Sequence, residues 1–265
     1  MEIDWIELWR ELVTARIDRD KNSEEVKRYK VKSRKKSGER PDPLLDFVLQ
    51  KIDSQSTVLD VGTGGGRWTI PIAKIAESVT AVEPSETMIS ILRENIAEAN
   101  LKNIQIVQAA WEDAIVEPHD IITCAHTIYA SREFAAFIHK MESHARKRCY
   151  LAVRLPPHNG VLAELSLSIY GNRHDSPNAI IAYNALYSMG IYANVFVEDG
   201  MHHWINSTFE EAFTRAKRHL RLESSTTYDE LVRDTLNRRL NHINDLYVWP
   251  DGMSSALLWW MPKRY

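Results

Sequence analysis

Short apolar runs alternate with segments of helical spacing through the first half of the chain. Residues 58–61 (V-L-D-V) set Val58, Leu59 and Val61 around Asp60, the near-continuous apolar run of a strand buried on both faces. Residues 68–76 (W-T-I-P-I-A-K-I-A) return to helical spacing, and a second strand ends in A-V-E-P-S at 81–85. Over 86–99, Met88, Leu92, Ile96 and Ala99 share one helical face, with Ile89 beside them and Ser85 placed as N-cap. Further strands are predicted over 104–107, 121–125 and 148–154, with a helix over 131–144. Upstream, residues 3–17 form an amphipathic helix with Trp5, Leu8, Trp9 and Leu12 on one face, and a short helix spans 44–52 after Pro41 and Pro43. The tryptophan-bearing helix reads as docked on the core rather than as a flap over a cofactor, since apolar stripes usually join a core. Strands alternating with helices in this way predict an α/β domain with a parallel sheet.

The second half is mostly helical. Helices are predicted over 162–170, 179–189, 207–220 and 228–242, the third opened by Ser207 with Glu210 in a capping box. Residues 194–198 and 255–261 read as strands. His202 and His203 are adjacent but have no third ligand near them, which is weak support for a metal, and none is expected.

Between the first strand and its helix stands G-T-G-G-G-R at 62–67. Glycines turn the backbone tightly and place no Cβ in a ligand's way. A dinucleotide-binding G-x-G-x-x-G would need glycine where Arg67 stands, so that fingerprint fails. What remains is G-x-G-x-G with Asp60 two residues before it and Glu83 at the tip of the second strand. A carboxylate at that tip can accept hydrogen bonds from both hydroxyls of a ribose.

This combination resembles motif I and the strand-2 acid of the class I S-adenosylmethionine-dependent methyltransferases, over roughly residues 58–154. The resemblance implies a Rossmann-like, doubly wound α/β fold, whose mostly parallel seven-stranded sheet has an antiparallel last strand beside strand 6. With it would come an N-terminal helical arm and a helical insertion before the last strand. On that plan residues 1–42 are the N-terminal helix and basic connector and 43–265 the cofactor-binding domain, with 207–242 a helical lid. It also implies S-adenosyl-L-methionine as cofactor and S-adenosyl-L-homocysteine as product. The cofactor candidates are then Asp60, Gly62, Thr63, Gly64, Gly66, Arg67, Glu83, Pro84 and Met88, with Ala110, Trp111 and Glu112 near the adenine. The family often has an Asp at the place held by Ala110, so the adenine contact is expected from backbone near Trp111 or from Glu112. Asp60 could complement the methionine amino group or the sulfonium through water, and Arg67 the cofactor's carboxylate.

On the acceptor side the candidates are His126, Tyr129, Arg154 and His158, all just after central strands, where ligands bind in open α/β sheets. The sequence H-T-I-Y at 126–129 is not the N-P-P-Y or D-P-P-Y of many methyltransferases acting on base or glutamine amino groups, so a small-molecule acceptor is expected.

Composition changes this little. The 265 residues are 44% hydrophobic and 26% charged, with a net charge of −3, which gives no overall pull towards nucleic acid or a membrane. The basic stretch 26–40 (V-K-R-Y-K-V-K-S-R-K-K-S-G-E-R) is the local exception and could bind RNA, although a solvated connector is the simpler reading. Cys124 and Cys149 sit in apolar runs as core residues. With no leader-like N-terminus and no apolar run near ~20 residues, a cytoplasmic protein is expected. A nicotinamide oxidoreductase and a non-catalytic scaffold are the rival classes.

Overall fold

The computed structural model describes residues 3–21, 41–198, 203–250 and 252–263. The basic stretch 26–40 and His202 lie outside these described residues.

β1 (Thr57–Val61) pairs in parallel with β2 (Ser78–Val82) on one side and with β4 (His119–Ala125) on the other, Leu59 standing opposite Thr80 and Ile122. β3 (Ile104–Val107) extends the sheet beyond β2, and β5 (Ala145–Leu155) beyond β4. Among the described residues the sheet has seven strands in the order β3-β2-β1-β4-β5-β10-β6. β10 (Ser254–Trp260) runs antiparallel to β6 (Asn194–Val197), with Leu257 opposite Phe196. This is the Rossmann-like, mostly parallel arrangement expected, including its antiparallel last strand. Because both faces of the central strands are covered, Val58, Leu59 and Val61 are at most 1% exposed. Each fully buried side chain of this size contributes roughly 1.5–3 kcal/mol. Cys124 and Cys149 are buried on β4 and β5, and burial pushes the Cys124 thiol up to about 12.

The helices are α1 (Trp5–Lys21), α2 (Pro43–Leu49), α3 (Thr69–Ala73), α4 (Glu86–Glu98), α5 (Phe134–His144), α6 (Val161–Tyr170), α7 (Ala179–Ser188), α8 (Phe209–His219) and α9 (Asp229–Arg239). α1 is docked. Trp9 is fully buried, its Nε1 donates to the Ser131 carbonyl at 3.1 Å, and its ring packs on Phe134 and Tyr129. α3 is shorter than its apolar spacing predicts, with Pro71 in its first turn, where a missing N–H costs nothing. α5 begins at Phe134, later than predicted, and follows a 3-10 turn over Ile128–Ala130.

The chain divides into two compact units. The first comprises Met1–Val153, Ile180–Glu198 and Ala256–Tyr265, the second Arg154–Ala179 and Asp199–Ser255. The second unit has its own core, in which Leu165 of α6, Phe213 and Ala216 of α8, and Leu236 of α9 meet Trp249. It contains the predicted 207–242 stretch, with two corrections. The cap of α8 is Thr208, whose side chain accepts from Glu211 N at 3.1 Å, while Glu211 in turn accepts from Ser207 N at 2.8 Å. The predicted Ser207–Glu210 box is therefore out by one residue, and Glu210 instead pairs with Arg233. The second correction concerns 240–248. α9 stops at Arg239, and β8 (Asn241–Ile243) turns back on β9 (Leu246–Val248). Asn244 and Asp245 have φ of 49° and 60°, as a two-residue hairpin turn requires. β7 (Ile205–Asn206) joins β9 to complete a small antiparallel sheet.

Candidate functional site

The turn after β1 is held from both flanking strands. Gly62 N and Thr63 N both donate to the Val82 carbonyl, at 2.8 and 3.2 Å. Gly62, Gly64 and Gly66 have φ of 70°, 58° and 91°, a region that residues with a Cβ rarely enter. Two of these glycines are also demanded by packing. A Cβ on Gly62 would lie 1.9 Å from Thr127 Cγ2, and one on Gly66 2.6 Å from Leu92 Cδ1. At these two positions the missing side chain makes room for the protein itself, which corrects the expectation that it leaves room for a ligand. Thr127 Oγ1 also donates to the Gly62 carbonyl at 2.9 Å, and Asn95 Nδ2 to the Gly65 carbonyl at 2.6 Å.

Glu83, just past β2, is 7% exposed and faces the turn. One carboxylate oxygen accepts from Gly64 N at 2.8 Å and the other from Ser85 N at 3.0 Å. Asp60 is a strut behind the turn. At 2% exposure, its Oδ2 accepts from Thr69 Oγ1 at 2.6 Å and its Oδ1 from Thr123 Oγ1 at 2.8 Å, tying β1 to α3 and β4. Burial raises its carboxyl above the ordinary range, against the lowering effect of the two threonine hydroxyls and of Arg67.

A cavity of about 850 Å³ opens over the turn, lined by Gly62 to Arg67 together with His126 and Thr127 from the end of β4. Its far wall is made by α3 and α4, including Lys74, Glu94 and Glu98, and Glu83 is not among its lining residues. His126 is itself left-handed, with φ of 57°, and its N–H donates to Ala152 O on β5 at 2.9 Å. Arg67 lines the cavity while its guanidinium pairs with Asp42 at 3.5 Å, which also receives Trp68 Nε1 at 2.9 Å.

The remaining candidates divide by position. Pro84 is exposed, and Met88 is buried on the inner face of α4, one turn from its cap Ser85. Ala110 is half-buried and Glu112 exposed. The Trp111 indole is spent in the helix layer, donating to Phe137 O at 3.2 Å, and Lys140 Nζ gathers the carbonyls of Trp111, Glu112 and Ala114. Of the acceptor-side candidates, His126 reaches the cavity over the turn. Tyr129 is buried against Trp9. Arg154 and His158 fall in the second unit, where Arg154 lines a separate cavity and His158 is exposed. His203 Nδ1 is 3.0 Å from the Trp249 carbonyl. Sequence reasoning missed Thr69, Thr123 and Thr127. The visible signal was only a threonine inside or just after each apolar run.

Known proteins share the fold and stretches of the sequence. A putative methyltransferase from Bacillus halodurans has a similar fold, at a TM-score of 0.53 and 17% identity, over 81% of this chain and 96% of that one. Two curated relatives match over part of the chain. The probable ribosomal RNA small subunit methyltransferase A of Methanosphaera stadtmanae is 36% identical over 69 residues, 25% of this chain. The probable cobalt-precorrin-6B C(15)-methyltransferase (decarboxylating) of Methanocaldococcus jannaschii is 34% identical over 64 residues, 24% of this chain. These matches span only 26% and 35% of the relatives' own lengths. The fold is shared with the Bacillus halodurans structure, and residues 58–148 match the family model described as Methyltransferase domain.

Proposed function

We propose that the protein takes a methyl group from S-adenosylmethionine and passes it to a small-molecule acceptor. One observation carries this reading: Glu83 is fixed at the tip of β2 with Gly64 N–H on one oxygen and Ser85 N–H on the other. A carboxylate offers about four lone-pair sites, so roughly two remain, matched to the two adjacent hydroxyls of a ribose. The backbone of 62–67 would hold the methionine end, and His126 faces the same cavity from β4. Strained backbone of the kind seen at His126 is concentrated at functional sites. When bound, the cofactor supplies a methyl group on a sulfonium, a good leaving group. The chain's part is to align the acceptor and exclude water, and a base is needed only where the acceptor must shed a proton.

A nicotinamide dinucleotide fits less well. Arg67 replaces the glycine that a pyrophosphate turn needs, and the five-residue α3 offers little helix dipole to an anion. An RNA acceptor is suggested by the names of several relatives, but the basic stretch that would serve it lies outside the described residues. Among the described residues no helix is long and apolar enough to cross a membrane.

Calorimetric titration of the full chain with S-adenosylhomocysteine and with NAD tests the reading. Saturable binding of the first and none of the second is expected. Tight NAD binding with no heat from S-adenosylhomocysteine would end it.

A further inference from the structure

The second unit contains a cavity of about 70 Å³, separate from the glycine turn and lined wholly by that unit's residues. Its walls are apolar and aromatic, with Trp204, Trp249, Pro156, Val161, Leu162 and Met253 among them. The two tryptophans meet edge to face at 5.4 Å. Set into this wall is a pair of titratable groups. His219 Nε2 stands 2.6 Å from Asp175 Oδ2, with side-chain exposures of 16% and 10%.

A structural ion pair would need no cavity beside it. Both members of this pair line one. Burial pushes the Asp175 carboxyl up, but hydrogen bonding, led by that of His219, holds it below the ordinary range. Asp175 is therefore the ionised member, and it fixes the imidazole with Nε2 as donor. Nδ1 is left as the nitrogen that can accept a proton, and among the described residues no hydrogen bond is recorded at it. Among the described residues the charged or titratable groups around the pair include Arg154 on the cavity wall, His174 next to Asp175, and Arg215, stacked over Trp204 at 5.2 Å. A carboxylate that orients a histidine and stabilises its charged form is the arrangement used to take a proton from a hydroxyl.

We propose that this cavity is a ligand site for the hydroxyl-bearing edge of an aromatic ring, a phenol in chemical class, with His219 as the proton acceptor and Asp175 as its positioning residue. The space is about half of the ~150 Å³ that encloses a whole benzene, so it seats the hydroxyl edge and leaves the rest of the ligand outside. The tryptophan edges suit a ring, and the dyad suits its acidic O–H. On binding, the phenolic O–H bond breaks and an N–H bond forms at Nδ1. The result is a phenolate beside an imidazolium that Asp175 balances. The site stands apart from the methyl-transfer reading, because binding and proton transfer require no cofactor.

The test uses 4-nitrophenol as probe, since its absorbance distinguishes phenol from phenolate. It is added to the full chain, without cofactor, at a pH where the free probe is mostly protonated. The wild type is expected to show saturable growth of the phenolate band together with quenching of tryptophan fluorescence. His219→Gln retains an amide donor for Asp175 but no basic nitrogen. It should bind roughly tenfold or more weakly and without the phenolate band, as the loss of a charge-assisted hydrogen bond implies. Leu162→Trp leaves the dyad intact and fills the cavity, and should abolish both signals while the protein still melts cooperatively. Absence of saturable binding to the wild type, or equal spectra and affinity in all three proteins, would overturn the proposal.

Discussion

Thr127 stands where a side chain on Gly62 would have to go. Gly62→Ala therefore meets two penalties, a 1.9 Å clash with Thr127 Cγ2 and a φ of 70°. Together they should cost about 2–4 kcal/mol by urea denaturation, with the backbone part about 1–2. Adding Thr127→Gly, which also removes the Thr127 Cβ that would lie 2.5 Å away, should relieve much of the clash, so the double variant is expected to be less destabilised than the sum of the singles. Additive behaviour would mean that the close approach is not the reason for the glycine. Asp60 makes a prediction in pH. Its folded value is raised by burial, so its contribution is fully present below its ordinary value near ~3.9 and is lost as pH rises through the folded value. Asp60→Asn should thus gain on the wild type as pH increases through that window, and a gap between the two melting curves that does not change with pH would refute it. At this scale the sequence showed the acids but not their partners. Asp60 and Glu83 are legible from their strand-tip places, whereas Thr123 and Thr127 lie 63 and 65 residues from what they hold. They meet it only because β4 pairs with β1.

Elements of the first unit were predicted from periodicity with small shifts at their ends, because β1, β2, β4 and α4 each have a continuous apolar face to bury. The misses in the second unit came from local turn chemistry. The dipeptide Asn244-Asp245 was the available hairpin signal, and the helical spacing before it overrode it. The cap of α8 gives a sharp discrimination. Thr208→Ala should cost about 1 kcal/mol of stability, while Ser207→Ala should be close to neutral, since Ser207 contributes its backbone N–H. The reverse order would restore the cap expected from sequence. Acid should weaken this unit through α6. Glu164 is lowered first by its hydrogen bond with Arg238 at 2.5 Å, then by its charge pairing with Arg238 and Arg239. Its folded value being depressed, its contribution is present above the ordinary carboxylate range and is lost as pH falls through the folded value. Glu164→Gln should flatten the acid limb of the melting curve, and an unchanged limb would count against the pair.

For the molecule as a whole, the strand order and the glycine turn support the methyl-transfer proposal, and each of the two units carries its own cavity. The fold class was legible because a parallel sheet imposes long apolar runs with helices between them. The division at 153/154 was not, since neither composition nor charge changes there. The central claim is that the turn at 62–67 and Glu83 receive an adenosyl sulfonium. Hydrogen–deuterium exchange on the full chain, with and without saturating S-adenosylhomocysteine, tests it most directly. Slowed exchange is predicted at 62–67 and at 83–88. Unchanged exchange in both segments while the ligand is demonstrably bound would contradict the account.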